Sequence, residues 1–387
     1  MGNNIPHGYK ATALGIIPQE WEVKKLGEVG KLLSGLTYTP SNIQSDGILV
    51  LRSSNIQNGV LAFDDNVYVN VSSYTPVKAG DILICVRNGS QNLIGKTALI
   101  THEAEGCAFG AFMAVFRSPI SKYVFYLLGT ELYRKYIFRN LGATINSING
   151  SDLKKFRFPF PPLAEQRKIA EVLGVWDKAI EKQARLIEKL ALRKRALMQR
   201  LLSAKLRLPG FSEPWKKVKL GDVASIKTGN KNNEDKIANG QYPFFVRSSI
   251  VERINTYSYD GEAILIPGEG KIGEIIHYIN GKFDYHQRVY KISDFSNCSG
   301  LFLYYYLMYF FGKQAINNSV KACVDSLRLS TFTNMTIIHP PISEQTAIAE
   351  VLTAADREIE LAKEKLERLR RQKRGLMQQL LTGKKRI

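Results

Sequence analysis

The sequence predicts a mixed α+β chain: two similar globular domains joined by two long helices that pair as a coiled-coil spacer, the whole an internal pseudo-twofold repeat. Three observations predict it. The stretch PPLAEQRKIAEVL from Pro161 returns as PPISEQTAIAEVL from Pro340, 179 residues later, with nine of thirteen residues identical. A heptad pattern follows each copy. Ahead of each copy lies a region of short apolar runs broken by Gly, Asn, Asp and Ser.

The repeat organises the chain. Past the shared motif, Asp177 matches Asp356, Ile180 matches Ile359 and Leu190 matches Leu369, and KRALMQRLLSAK from Lys194 matches KRGLMQQLLTGK from Lys373. Earlier, WEVKKLGEV from Trp21 matches WKKVKLGDV from Trp215, LLSG ending at Gly35 matches IKTG ending at Gly229, and LRSSN around Arg52 resembles VRSSI around Arg247. The expected segments are 1–160 and 206–339 for the globular domains, and 161–205 and 340–387 for the helices.

Each variable region reads as strands and turns, as in GDILICV from Gly80, EAILIPGEG from Glu262 and HQRVYKI from His286. EIIHYING reads as a strand ended by an Asn-Gly turn. Each region closes on an aromatic, helix-like stretch, YVFYLLGTELYRKYI from Tyr123 and LFLYYYLMYFFGKQAI from Leu301. Pro-Pro then marks entry to a long helix, because proline suits the first turn or the residue before it. In the first helix Ile169, Leu173, Trp176, Ile180, Gln183, Ile187, Leu190, Lys194, Leu197 and Leu201 form the seam. In the second it is Ile348, Leu352, Ala355, Ile359, Ala362, Leu366, Leu369, Lys373, Leu376 and Leu380. About forty residues at 1.5 Å each give ~60 Å. The seam is narrow and the opposite faces are charged, which favours pairing of the helices with each other over packing on a globular neighbour. Lys194 and Lys373 share one seam position and are expected to snorkel out of it or to fix its register. Glu165–Gln166 and Glu344–Gln345 are expected to cap, pack or dock rather than to catalyse.

Charge points to the partner. Fifty-four Lys+Arg against 35 Asp+Glu give +19 and a pI near 9.6. Such an excess suits a polyanion, most simply nucleic acid. The longest apolar run, Leu301 to Gly312, is too short to span a bilayer, and the N-terminus lacks a signal pattern; a soluble, cytoplasmic chain is expected. Cys85, Cys107, Cys298 and Cys323 have no metal-ligand spacing and read as small core residues.

Three motifs fail on inspection. GEGKIG from Gly268 satisfies G-x-G-x-x-G, but a dinucleotide site needs a helix after it, whereas a strand pattern follows. GSQNLIGKT from Gly89 misses phosphate-loop spacing by one residue and precedes another strand pattern. Neither the base-flipping loop nor the glycine-rich cofactor turn of an amino-methyltransferase is present, and no nuclease carboxylate cluster or nucleophile–base set can be assembled. The chain reads as non-catalytic by itself, with no metal and no cofactor of its own.

The two P-P-[LI]-x-E-Q-x-x-I-A-E-V-L segments, each after a region opened by W-x-x-x-x-L-G-[ED]-V, resemble the specificity subunit of type I restriction–modification systems, over nearly the whole chain. That resemblance implies a target recognition domain in each variable region, each reading half of a bipartite, asymmetric site in double-stranded DNA, with the two helices running antiparallel as a ruler that sets the gap between half-sites. It implies two modification subunits carrying S-adenosylmethionine chemistry for adenine-N6 methylation. It also implies two restriction subunits with ATP-driven, Mg-dependent translocase and nuclease activity. Candidate DNA-reading residues lie on polar, glycine-punctuated turns: Arg52, Ser53, Asn55, Arg87, Asn88, Ser90, Gln91, Asn92 and Lys96 in the first domain, and Lys231, Arg247, Ser248, Lys271, His286, Gln287 and Arg288 in the second. Arginine suits guanine, and Asn or Gln suits adenine; any one of them could equally be a solvated turn residue. TINSING from Thr144 and CVDSLRL from Cys323 occupy equivalent places and could set how each domain meets its helix, or contact DNA. A self-sufficient methyltransferase lacks its loops here. A coiled-coil scaffold leaves the charge without a role, and a homodimeric repressor would take its symmetry from two chains.

Overall fold

The computed structural model describes residues 5–141, 146–271, 273–318 and 327–387, with main chain alone for 313–318. The chain forms two compact units, 1–182 with 366–387, and 183–365. These units cut across the segments expected from the repeat, because each takes part of both long helices.

In unit 1 a four-stranded antiparallel sheet runs in the order Thr97–Leu99, Ile82–Cys85, Met113–Arg117, Lys31–Ser34. Ile82, Leu83, Ile84 and Cys85 are all buried, which explains a continuous apolar run instead of alternation. A second sheet carries Ile48–Leu51, beside which Ala108–Phe109 lies parallel. Unit 2 merges both parts into one six-stranded sheet, because the nine-residue strand His277–Tyr285 pairs with Tyr259–Pro267 along one edge and with Tyr242–Phe245 on the other. The Asn280–Gly281 pair expected to end that strand lies inside it: Gly281 (φ 138°) stands opposite Gly261 (φ 149°). Two facing glycines accept backbone angles closed to side-chain-bearing residues, so the strand passes through.

In each unit an early strand and the strand before the long helix pair as a short ribbon, Glu22–Lys25 with Arg157–Phe160 and Lys216–Lys219 with Thr336–His339. The ribbon hands the chain to Pro-Pro and then to a helix, Leu163–Leu201 or Ile342–Leu380, each of 39 residues. The aromatic stretch of unit 1 is two helices, Ser121–Leu127 and Glu131–Asn140, interrupted at Gly129; the Thr130 side chain caps the second. Its counterpart in unit 2 is the single helix Gly300–Asn318.

The helices run antiparallel within each unit, and their seam divides by role. Ile169, Leu173 and Leu380 join the unit 1 core around Trp21, Phe116 and Phe158. Leu201, Ile348 and Leu352 join the unit 2 core around Phe302, Phe311 and Phe332. Away from these cores, Leu190, Ile359 and Ala362 with half-buried Ile187 form a cluster made of helix alone. Buried Gln183 donates to the Ala362 carbonyl at 3.0 Å. Leu366 is buried as well, while Trp176, Ile180, Leu197, Leu369 and Leu376 are half-buried.

Lys194 and Lys373 do not oppose one another, contrary to the simplest reading of their shared seam position. Antiparallel order places Lys194 on Asp356 and Lys373 on Asp177. Each aspartate also accepts a hydrogen bond from a domain tyrosine, Tyr126 to Asp177 at 2.7 Å and Tyr305 to Asp356 at 2.8 Å. Each ammonium lies over the face of that tyrosine, at 5.1 Å for Lys373 and 5.3 Å for Lys194. A second stitch starts at the repeated glutamate. Buried Glu165 accepts from the Trp21 indole at 3.2 Å and from Arg386 at 2.6 and 2.9 Å. Buried Glu344 accepts from Trp215 at 3.3 Å and from Arg207 at 2.6 and 2.7 Å. A buried carboxylate is tolerable because a bidentate guanidinium and an indole N–H satisfy it. The neighbouring glutamines turn back on the helix entry, Gln166 to the Pro161 carbonyl at 2.7 Å and Gln345 to the Pro340 carbonyl at 2.8 Å.

Candidate nucleic-acid interface

At one end of each sheet several turns converge, and main-chain bonds fix their equivalence. In unit 1 the N–H of Gly110 meets the Leu51 carbonyl at 3.0 Å, the N–H of Val86 meets the Phe112 carbonyl at 3.0 Å, and the N–H of Ile148 meets the Val86 carbonyl at 2.8 Å. In unit 2 the corresponding bonds are His286 to Phe245 at 2.9 Å, Gly268 to Arg288 at 2.8 Å and Leu327 to Gly268 at 2.8 Å. Leu51 therefore corresponds to Phe245, Val86 to Gly268 and Phe112 to Arg288. This register slips the apparent match of LRSSN with VRSSI by one residue, so Arg247 stands where unit 1 has Ser53, not Arg52.

In unit 1 exposed Arg87 lies over the exposed Phe112 ring, 5.7 Å from its centroid. Asn88 donates to Ser53 at 2.9 Å and accepts from the Ser90 N–H at 3.0 Å. Asn146 donates to the Gly89 carbonyl at 2.9 Å, tying in the segment ahead of the long helix. Arg52 is turned aside, paired with Asp65 at 2.9 Å. Asn55 is corrected from reader to turn-former: it is fully buried, accepts from the Arg52 N–H at 2.9 Å and donates to the Ala62 carbonyl at 2.9 Å. Exposed Gln91, Asn92 and Lys96 line a separate hollow of about 550 Å³ with Asn58, Arg134 and Phe138.

In unit 2 Glu269 holds two exposed arginines, Arg247 at 3.1 Å and Arg288 at 3.4 Å. Buried His286 uses Nδ1 to accept the Arg288 N–H at 2.9 Å, so it supports the turn. Burial pushes its pKa below the ordinary histidine range, helped by Arg247 and Arg288. The Gln287 N–H meets the Lys231 carbonyl at 2.8 Å, and the Gln287 amide donates to Asn232. Ser248 closes a local turn with Ile250, its Oγ donating to the Ile250 carbonyl at 3.0 Å. Lys271 is exposed. Thr144, Ile145 and 323–326, including Cys323, lie outside the described residues.

The ends of the sheets thus present arginines and amides on turns held by main-chain bonds, a surface suited to hydrogen-bonding base edges and phosphates. Burial pushes the thiols of Cys85 and Cys298 up, to about 11 and about 12, which keeps them protonated. Among the described residues no three His, Cys, Asp or Glu side chains gather as a metal site, and no helix is long and apolar enough to cross a membrane.

The family model for the type I restriction modification DNA specificity domain matches residues 18–191 and 212–371. The chain belongs to this family. It is a specificity subunit of a type I restriction–modification system, the non-catalytic component of the complex, recognising a DNA target sequence. It is 26% identical to the putative MjaX specificity subunit of Methanocaldococcus jannaschii, over 98% of this chain and 97% of that protein. With the EcoKI specificity subunit of Escherichia coli it shares 33% identity over 41% of this chain and 36% of that one. The crystal structure of the type I restriction-modification system S subunit from M. genitalium has the same fold, with a TM-score of 0.62 at 18% identity over 98% of this chain and 97% of that one.

Phe112, Asn232 and Glu269 of the specificity subunit were not singled out by sequence reasoning, and Asn146 only as part of the stretch TINSING. Glu269 sits in the very GEGKIG stretch set aside as a failed nucleotide motif. Phe112 is hidden in the run CAFGAFMAVF and emerges only once that run is laid on DYHQRVYKI by strand register.

Proposed function

We propose that each unit of the specificity subunit reads one half of a bipartite, asymmetric site in double-stranded DNA through the turns at its sheet end. One observation carries the reading: two units share a fold and stitches residue for residue, yet present different side chains at equivalent strand ends. Arg87, Asn88 and Ser53 would serve one half-site, with Ser90, Gln91, Asn92, Lys96 and Arg52 flanking it. Arg247, Arg288, Gln287, Ser248, Lys231 and Lys271 would serve the other. Arginine and amide side chains supply base-edge contacts, and the excess of +19 supplies salt-dependent affinity for phosphate. The paired helices, each ~58 Å long at 1.5 Å per residue, act as the ruler between half-sites. Two modification subunits with S-adenosylmethionine and two restriction subunits with ATP and Mg complete the assembly, and their cofactors bind there.

Mapping of methylated adenine in a host with and without this gene tests the reading. A bipartite motif that vanishes on deletion supports it; an unchanged methylome while the modification subunits are expressed defeats it. Size-exclusion chromatography with the modification subunit is expected to give a two-to-one complex.

A further inference from the structure

We propose that Glu269 is a positioning residue that orders Arg247 and Arg288 as a guanine-reading pair in the half-site of unit 2. This rests on the reading that unit 2 binds DNA with its sheet end.

A carboxylate on a surface that meets a polyanion weakens non-specific attraction, so phosphate binding gives no reason for one there. Orientation does. The Glu269 side chain is only 19% exposed, whereas those of Arg247 and Arg288 are 49% and 62% exposed. The more sheltered end is thus the anion and the solvent-facing ends are the cations. Arg288 meets Glu269 through Nε and Arg247 through a single terminal nitrogen, Nη1. Among the described residues neither guanidinium has another side-chain partner. Arg288 therefore keeps both terminal nitrogens, which form the planar fork that matches the O6 and N7 acceptors of guanine in the major groove. The turn beneath is fixed: His286 Nδ1 accepts the Arg288 N–H, and the Arg288 carbonyl accepts the Gly268 N–H at 2.8 Å. Ordering the two side chains before DNA arrives reduces the entropy lost on binding. In unit 1 the equivalents of Arg247, Glu269 and Arg288 are Ser53, Arg87 and Phe112, so an arginine stands in the place of the acid and this device belongs to unit 2 alone.

The test uses the full chain co-expressed with its modification subunits in a host free of adenine methylation, with methylated sites mapped across the genome. Filter binding of the purified complex to its own site and to a guanine-substituted site runs in parallel. The wild-type motif is expected to contain guanine in one half-site. Glu269→Gln is expected to make that position degenerate while the other half-site stays sharp. Arg288→Ala is expected to weaken binding to the intact site tenfold or more, and to the guanine-substituted site little. Arg288→Lys, which keeps the charge and loses the fork, should resemble Arg288→Ala. The inference is overturned if both half-sites of the wild type lack guanine. It is also overturned if Glu269→Gln leaves the motif intact and tightens all DNA alike, or if Arg288→Ala weakens all sequences equally; both latter results mark phosphate contacts only. A wild-type complex that yields no bipartite motif would instead defeat the broader reading of function.

Discussion

Unit 1 and unit 2 differ most where their turns meet solvent and least where domain meets helix. At the sheet end unit 1 carries an aromatic ring under an arginine, Phe112 and Arg87, beside the Asn88–Ser53 bond. Unit 2 carries a charged triad, Arg247, Glu269 and Arg288. At the helix entry, by contrast, Trp21–Glu165–Arg386 and Trp215–Glu344–Arg207 agree in atom type and nearly in distance. The frame is thus held by buried, mutually satisfying groups that tolerate little change. The turns hang from main-chain bonds that accept almost any side chain.

Substitutions at matched positions can break the likeness, and the largest effects belong to the frame. A Cβ on Gly35 would stand 2.0 Å from the Gly110 carbonyl oxygen, and one on Gly229 would stand 2.0 Å from that of Tyr285. Gly35→Ala and Gly229→Ala should each cost roughly 4 kcal/mol, the exceptional end of single substitutions, read by calorimetry as loss of one unit's transition. A survivor of either change would mean that the two strand ends are not built alike. Next, Glu165→Ala and Glu344→Ala each strand an arginine and an indole, and should cost about 3 kcal/mol in chemical denaturation. Unequal costs would show that one stitch matters more than the other.

Weaker effects sharpen the comparison. Asp177→Lys should destabilise unit 1 by about 1 kcal/mol, with Lys373→Asp restoring most of it in a double-mutant cycle; the pair Asp356 and Lys194 should behave the same way. Phe112→Ala removes an exposed ring, 56% accessible, so melting should stay unchanged while DNA affinity falls roughly fivefold if the ring packs on a base. The smallest effect is acidic. Burial lowers the pKa of both His277 and His286 in unit 2. A base depressed in the folded state contributes stability present above its unfolded pKa of about 6.5 and lost as pH falls from there through the folded value. Arg247, Glu269, Arg288 and Asp235 surround His286. A slight fall in the unit 2 melting temperature between pH 7 and pH 5.5 is therefore expected, diminished in His286→Gln.

The frame was the more legible part of the sequence. A heptad and a Pro-Pro entry are local patterns, and their duplication doubles the signal. The partners of the stitches were not legible: Glu165 finds Arg386 and Trp21, far away in the chain, and only the fold brings them together. Lys194 and Lys373 show why. Sequence equivalence suggested that they share a place, whereas antiparallel order sends each to the aspartate of the other copy. The reading turns were recognisable as turns, but not by register. Arg52 and Arg247 look alike in sequence and occupy different steps of the strand end, and Asn55 looked like a reader while its amide is consumed by the backbone.

No side chain proposed to read DNA takes part in a stitch, and no stitch residue lies on a reading turn. The two sets can therefore drift at different speeds. A replacement at Arg288 or Asn88 leaves Glu165, Glu344, Asp177 and Asp356 with all their partners, so a new preference can arise without an unstable ancestor along the way. The architecture makes innovation cheap at the tips of the sheets and nearly forbidden at their roots.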